Sequence, residues 1–404
     1  MAGYDYDLVT VGGGLGGAAL GKVMAGAGAR VLILEQDLKF RDRVRGEFLA
    51  PWGAAEARQL GIADVLQGCG CNVPAVEMGL GRRDLPGTTP QGLPAIGFSH
   101  PEMQEALLQA AANAGAHVRR GAVVTAVEPG EPPRVRLRTL GSDTRTVSAR
   151  LVVGADGRNS PVRKWTGFVV AREPHPFLFA GVLLTALAMP HDLAYYCFNP
   201  GLGMVAATVY QGADRFRAYL AYPSEGVKRL QGEHDLPRFL EYSRRTTAFP
   251  NVYDGASGAV GPLASFSCDE DWVEHPYKNG VALIGDAAAT SDPVYGQGLS
   301  LTLRDVRTLS EKLLSQSDRD KAGNAYASEH HRYFSAIHTS CGWLRLVFQE
   351  QGPEADQRRA IAVPLIAADP TRIPDHIMSG PELPIDDSVR ARFFGEQPQN
   401  AQPS

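Results

Sequence analysis

The run Tyr6–Val11 (YDLVTV) passes directly into Gly12-Gly13-Gly14-Leu15-Gly16-Gly17, and nothing else in the chain restricts the fold as strongly. A short apolar run, a glycine turn and a small-residue segment over 14–27 read as strand, turn and helix. Residues 30–34 (RVLIL) read as the next strand, completing a β-α-β unit with short connections. The spacing is G-x-G-x-x-G at Gly12, Gly14 and Gly17. The first glycine permits the tight turn, the second lets backbone approach a pyrophosphate, and the third lets helix and strand pack closely. Leu15 opens the helix, whose unpaired N–H groups and positive dipole end face the phosphates. Glu35 closes the second strand, followed by Gln36. An acid at that strand end accepts hydrogen bonds from an adenosine ribose. A bound dinucleotide is expected; the motif alone does not separate a flavin from a nicotinamide dinucleotide.

Length and composition bound the rest. A chain of 404 residues, 44% of them hydrophobic, predicts two or three domains with ample core. The formal net charge of −4 offers no electrostatic reason for nucleic acid or an anionic membrane as partner. The five cysteines are scattered and include no C-x-x-C pair, so we expect no disulfide framework and a reducing, cytoplasmic setting. The N-terminal residues carry no basic segment, so no leader peptide is expected. The most apolar stretch, 177–190, is too short to span a bilayer. Helices are expected over 54–67, 101–114, 297–315 and 320–350, with strands near 117–127, 133–139 and 149–154. Between 170 and 270 the texture turns to period-two alternation with turn residues, the signature of an antiparallel sheet. The tail from about 380 is polar and proline-containing, and loose order is expected there.

Two later stretches join the N-terminal fingerprint. Residues 151–163 read LVVGADGRNSPVR, and residues 281–298 read VALIGDAAATSDPVYGQG. Taken in this order, the three motifs resemble the signatures of the group A flavoprotein monooxygenases built like p-hydroxybenzoate hydroxylase, over roughly residues 5 to 315. The resemblance implies an α/β fold: a Rossmann-like FAD-binding domain with an inserted antiparallel β-sheet substrate domain and C-terminal helices. The corresponding boundaries are 1–170 and 276–350 for the FAD-binding parts, 171–275 for the substrate sheet and 351–404 for a C-terminal extension. FAD is then the bound cofactor and NAD(P)H a transient co-substrate.

Residue by residue, the resemblance assigns Asp156 and Gly157 to the cofactor's pyrophosphate side, and Gly285 with Asp286 to its ribityl chain. Pro293, Gly296, Gln297, Gly298 and Leu299 are assigned to the flavin itself. A helix starting there can aim its positive end at the flavin pyrimidine edge and stabilise negative charge on the reduced ring. Pro293 and Tyr295 are the candidates for the catalytic pocket. Arg45, and less so Arg43, match an arginine segment that touches FAD. His100 stands where relatives carry Arg or Gln, Ala289 where they often carry His, and Ser300 where they often carry Asn. Asp305 matches the family's later helix Asp. On bland readings, Asp156-Gly157 is only a turn capped by Ser160, and Asp305 only an exposed helical acid. Glu329, His330, His331 and His338 read as structural or surface residues; no metal ligand set is expected.

The implied activity is hydroxylation of a small aromatic substrate by NAD(P)H and O2 through a flavin C4a-hydroperoxide. The alternatives are an FAD-dependent reductase or dehydrogenase of the same fold, and a flavin-binding protein without catalysis. A halogenase is disfavoured because W-x-W-x-I-P is absent. The expected partners are the small-molecule substrate, NAD(P)H and O2, with the chain a monomer or homodimer. No catalytic base is identified; Tyr195, Tyr196, Tyr210, Tyr219 and Tyr222 default to packing roles.

Overall fold

The computed structural model describes residues 3–44, 46–79, 81–139, 143–256 and 258–396. The chain divides into two compact units: residues 1–72, 95–175 and 269–334 form the first, and 73–94, 176–268 and 335–404 the second.

The first unit is built on an eight-stranded sheet. Its central order is Val281–Leu283, Arg145–Gly154, Tyr6–Val11, Val31–Glu35 and His117–Arg120, all paired in parallel. Every residue of Val31–Glu35 is buried, as is Leu8 to Val11 in the strand beside it. Parallel strands covered on both faces read as continuous apolar runs, which is why alternation is absent here. Helices Leu15–Gly26, His100–Asn113 and Gly298–Ser315 pack on this framework, the first touching the other two. Strands Ala122–Glu128 and Arg134–Thr139 form an antiparallel extension of Arg145–Gly154. The core comprises Val9, Leu32, Val135, Val152, Val162 and Leu283 with their neighbours.

The second unit carries a seven-stranded sheet in the order Ala264–Ser267, Phe177–Thr185, Arg215–Pro223, Met204–Gly212, Leu193–Asn199, Ala75–Glu77 and Arg82–Asp84. All its pairs are antiparallel except Leu193–Asn199 with Ala75–Glu77. One face packs Val182, Ala218, Leu220 and Tyr222 with Phe239 of helix Leu236–Thr246. Tyr222 is core: its hydroxyl lies 3.1 Å from Ser265 Oγ and accepts from Leu230 N at 3.0 Å.

Two local expectations change. The helix expected over 54–67 is two helices, Pro51–Gln59 and Ala63–Gly68. Gly61 at φ +63° turns the chain between them, so Leu60 and Ile62 are both buried. The tail from 380 is not loose as far as the described residues extend. Helix Asp387–Phe394 is capped by Asp386, whose Oδ1 accepts from Ser388 N and Val389 N, and Phe393 and Phe394 are buried. Polar residues face outward there while two aromatics supply the anchoring area that composition averages away. The five cysteines form no disulfide. Among the described residues no helix is long and apolar enough to cross a membrane.

Candidate cofactor-binding site

Parallel pairing puts Leu34, Val11, Gly154 and Leu283 side by side as one row across the sheet. Glu35-Gln36, Gly12–Gly14, Ala155–Gly157 and Gly285-Asp286 therefore leave the sheet at one edge. Backbone hydrogen bonds stitch these exits together: Gly12 N to Leu34 O at 2.8 Å, Ala155 N to Val11 O at 2.8 Å, and Ile284 N to Gly154 O at 3.0 Å. This is the carboxyl edge of a parallel sheet, where open α/β folds bind their ligands.

The N-terminal glycines divide into two kinds. A Cβ on Gly12 would overlap the Ala155 carbonyl, and one on Gly17 would overlap the Gly12 carbonyl. Those two close the turn. A Cβ on Gly14 meets only Gln104 Nε2, at 3.3 Å, so this side is open toward a ligand. Leu15 is buried at the head of the helix it opens. The Glu35 carboxylate links the loops, since Oε2 accepts from Gly13 N at 2.8 Å and Oε1 from Asp37 N at 2.7 Å. Each oxygen keeps a second lone pair with which to accept a hydroxyl. Gln36 is exposed beside it.

Asp156 follows the third strand end, with Gly157 next at φ +82°. The Asp156 Oδ2 accepts from Val162 N at 3.0 Å, while its Oδ1 is buried without a partner. Burial, partly offset by the Ser160 and Val162 hydrogen bonds, pushes its carboxyl above the ordinary range. Ser160 does cap the short helix Pro161–Trp165, accepting from Arg163 N at 3.0 Å. Arg163 lies behind, its Nη1 also buried and unpartnered. The turn reading and the site reading thus describe the same residues.

Gly285 stands at φ +59°, and Asp286 heads the turn after it, half-buried. A Cβ on Gly298 would sit 3.7 Å from Asp286 Oδ1, so the start of helix Gly298–Ser315 is folded back against the Gly-Asp turn. Pro293–Tyr295 is a single 3-10 turn whose N-cap, Asp292, accepts from Val294 N at 3.0 Å. Pro293, Gly296, Gly298 and Leu299 are partly exposed, whereas Tyr295 and Gln297 are buried. Gln297 acts through its side chain as a brace: Nε2 donates to Tyr295 O at 2.6 Å, and Oε1 accepts from Trp52 Nε1 at 3.0 Å. Both polar atoms of the Gln297 side chain are thus engaged within the protein.

His100 begins the helix His100–Asn113, and its Nδ1 lies 2.8 Å from the Gly46 carbonyl. It thus pins the segment that follows Arg45, which itself lies outside the described residues. Arg43 pairs with Asp37 at 2.5 Å. Trp52 and Gln104 escaped the sequence reading, since neither sits in a motif. So did a buried group around Asp292. Glu270 Oε1 accepts from Asp292 N at 3.0 Å, Glu270 Oε2 lies 3.1 Å from His175 Nε2, and His175 Nδ1 is 4.0 Å from Asp292 Oδ2. Glu173, His175 and Glu270 bring their ligand atoms within 4.8 Å of one another, the grouping of metal-ligand type found among the described residues. The 3.1 Å approach joins His175 directly to the Glu270 carboxylate, and the group reads as a clamp on the Asp292 turn. Asp305 is buried, which overturns the exposed-acid reading; it accepts from Gly285 N at 2.7 Å. His330 is buried against it and His331 is exposed, as structural and surface histidines.

The residues fit an FAD. An open glycine beside a helix start, an acid at the second strand end, an orphaned buried Asp156 oxygen and a half-buried Asp286 line one sheet edge. The family model described as FAD binding domain matches residues 5–338. The chain belongs to this family. Among curated relatives, the aklavinone 12-hydroxylase DnrF of Streptomyces peucetius subsp. caesius is 30% identical over 325 residues, covering 73% of this chain and 64% of that protein. The 6-methylpretetramide 4-monooxygenase of Streptomyces rimosus is 29% identical over 316 residues, covering 75% of this chain and 74% of that protein. Among solved structures, the p-nitrophenol 4-monooxygenase PnpA of Pseudomonas putida DLL-E4 aligns with a TM-score of 0.77 at 17% identity, over 92% of this chain and 96% of that one. This last likeness speaks to the fold. The chain spans under two thirds of the length of the first relative.

Proposed function

We propose that this FAD-binding chain is a monooxygenase that uses NAD(P)H and O2 to hydroxylate an aromatic substrate. The convergence of the Gly12–Gly17, Asp156 and Gly285–Gly298 segments on one sheet edge carries the reading, because it presents a single long ligand with contacts from adenosine to isoalloxazine ring. The hydroxylase and monooxygenase names of the curated relatives support oxygen transfer, and support fused-ring substrates such as aklavinone or 6-methylpretetramide as the first to try. When bound, FAD would supply the redox chemistry that links NAD(P)H oxidation to the use of O2.

The chain's own groups bind, orient and shield. Glu35 accepts ribose hydroxyls while bracing Gly13. The N-terminus of Leu15–Gly26 would hold the phosphates. Asp286 would accept from the ribityl chain. The N-terminus of Gly298–Ser315, 18 residues long, would offer partial positive charge to a bound flavin ring. Pro293 and Tyr295, held by the Asp292 cap and the Gln297 brace, form the wall on the ring side. We place the enzyme in the cytoplasm, as a monomer or homodimer.

The test is reconstitution with FAD followed by an oxygen-electrode screen of NADH and NADPH against phenols and fused-ring polyketides, with product mass. Substrate-stimulated O2 uptake and a product heavier by one oxygen atom are expected. NAD(P)H consumption with substrate reduction and no O2 uptake would instead establish the reductase alternative.

A further inference from the structure

Helix Gly298–Ser315 carries Asp305 on its buried side, at 1% exposure. Its two oxygens have separate duties. Oδ2 accepts from the Gly285 amide at 2.7 Å. Oδ1 accepts from Tyr333 Oη at 2.5 Å and pairs with His330 Nδ1 at 2.8 Å. His330 and Tyr333 come from the next helix, Arg319–Phe348, one turn apart on the same face. Tyr326 on that helix donates its hydroxyl to Leu283 O at 2.7 Å, two residues before Gly285.

This arrangement answers a specific problem. Gly285 turns through φ +59° against Thr302, where a Cβ would come within 2.9 Å of the Thr302 hydroxyl. Its amide points away from the sheet ladder, and a buried N–H without an acceptor is expensive. Asp305 supplies the acceptor. A carboxylate on one helix can hold the amide in only one place if its own rotamer is locked, and the two donors on Oδ1 lock it. His330 is oriented in turn. Its ring lies parallel to Phe334 at 8°, and its Nε2 is buried without a partner. Placing the proton on Nε2 would bury an unsatisfied donor, so the neutral ring keeps it on Nδ1, facing Asp305.

We propose that Asp305, His330 and Tyr333 form a positioning relay for the cofactor: through the Gly285 amide they set the direction in which Asp286 meets the ribityl chain of FAD. The relay rests on FAD binding at this site and is independent of oxygen insertion. None of the three residues touches FAD; they act through Gly285. The local signal in the sequence is the E-H-H-R-Y run at 329–333, whose His330 and Tyr333 share a helix face.

The test uses full-length apoprotein and three readouts: FAD titration by quenching of flavin fluorescence, visible circular dichroism of the bound flavin, and the apoprotein thermal midpoint. Tyr333→Phe and His330→Phe each remove one donor to Asp305 while keeping a ring in place. Each is expected to weaken FAD binding about tenfold or more and to alter the visible dichroism, beyond what the accompanying fall in the apoprotein midpoint accounts for. His330→Asn, whose amide nitrogen overlays Nδ1, is expected to recover most of the affinity. Val306→Ala, a buried neighbour outside the relay, is expected to lower the midpoint and leave FAD affinity alone. Wild-type affinity in both donor deletions overturns the relay, as does a loss that merely tracks the midpoint or a His330→Asn no better than His330→Phe. Failure of the wild type itself to bind FAD would overturn the proposed function along with it.

Discussion

Single side chains at the sheet edge separate folding from binding. Gly17 and Gly14 belong to one motif, but only Gly17 has no room for a Cβ. Gly17→Ala should destabilise the first unit by about 3 kcal/mol, read by urea denaturation. Gly14→Ala should leave the apoprotein nearly as stable and weaken FAD binding by about tenfold or more, read by flavin fluorescence. Equal stability losses in both would contradict the division. Asp156 makes a pH-dependent prediction. Burial raises its carboxyl pKa above the 3.8 of a free side chain, so its protonated form is favoured in the fold. That contribution is fully present below about 3.8 and is lost as pH climbs through the raised folded value. Asp156→Asn should therefore stabilise the apoprotein at pH 7 and make little difference near pH 4, because the amide keeps an acceptor for Val162 N without the buried charge. Thermal midpoints of the two proteins across pH 4 to 8 check it; a gap that widens toward acid would refute it. The Tyr326 and Tyr333 hydroxyls, buried beside the Asp305 charge, have pKa values well above the ordinary one. Both stay protonated donors throughout that range, so the relay itself should not titrate through them.

At the scale of elements, the C-terminal helix Asp387–Phe394 shows how a short polar segment becomes part of a core. Its eight residues are too few to be stable alone, so its cap and its two aromatics must hold it. Phe393 is fully buried and stacks edge-on with Phe394 at 4.9 Å between centroids. Phe393→Ala should cost about 3–5 kcal/mol, and Asp386→Ala about 1 kcal/mol through the lost cap. Chemical denaturation followed by far-ultraviolet circular dichroism measures both; a Phe393→Ala effect below that of Asp386→Ala would mean that the helix contributes little to its unit. Helix Gly298–Ser315 is the element on which the site depends most. Its first residues meet the Gly-Asp turn, Thr302 and Asp305 support that turn from behind, and Arg307 pairs with Glu56 at 2.5 Å. One amphipathic helix thus supports the candidate site at its tip and the core along its length.

On the scale of the whole molecule, the two units have separate cores, one around the parallel sheet and one beneath the antiparallel sheet. The candidate FAD contacts all lie in the first. A ligand at 100 times its Kd adds about 2.7 kcal/mol to the state that binds it. Scanning calorimetry should therefore show FAD raising the transition of the first unit and leaving the second near its original midpoint; an equal shift in both would mean that they unfold as one. How much of this was readable in advance follows from the range of the interactions. The strand–turn–helix, the acid at residue 35, the order of the three motifs and the inserted alternating strands were all legible, because each is written in contiguous residues whose backbone geometry admits few alternatives. Asp305 was legible as the helix acid of the resemblance but not as a buried partner of Gly285; Trp52, Gln104 and the Glu270–His175–Asp292 clamp were not legible. Their partners lie 20 to 245 residues away or belong to no motif, and whether such a side chain ends up buried depends on which faces of distant elements meet. A periodic pattern specifies that a helix has an inner face; only the folded chain decides that the acid on that face meets a glycine amide from another loop, and burial then turns an ordinary aspartate into a support for the site.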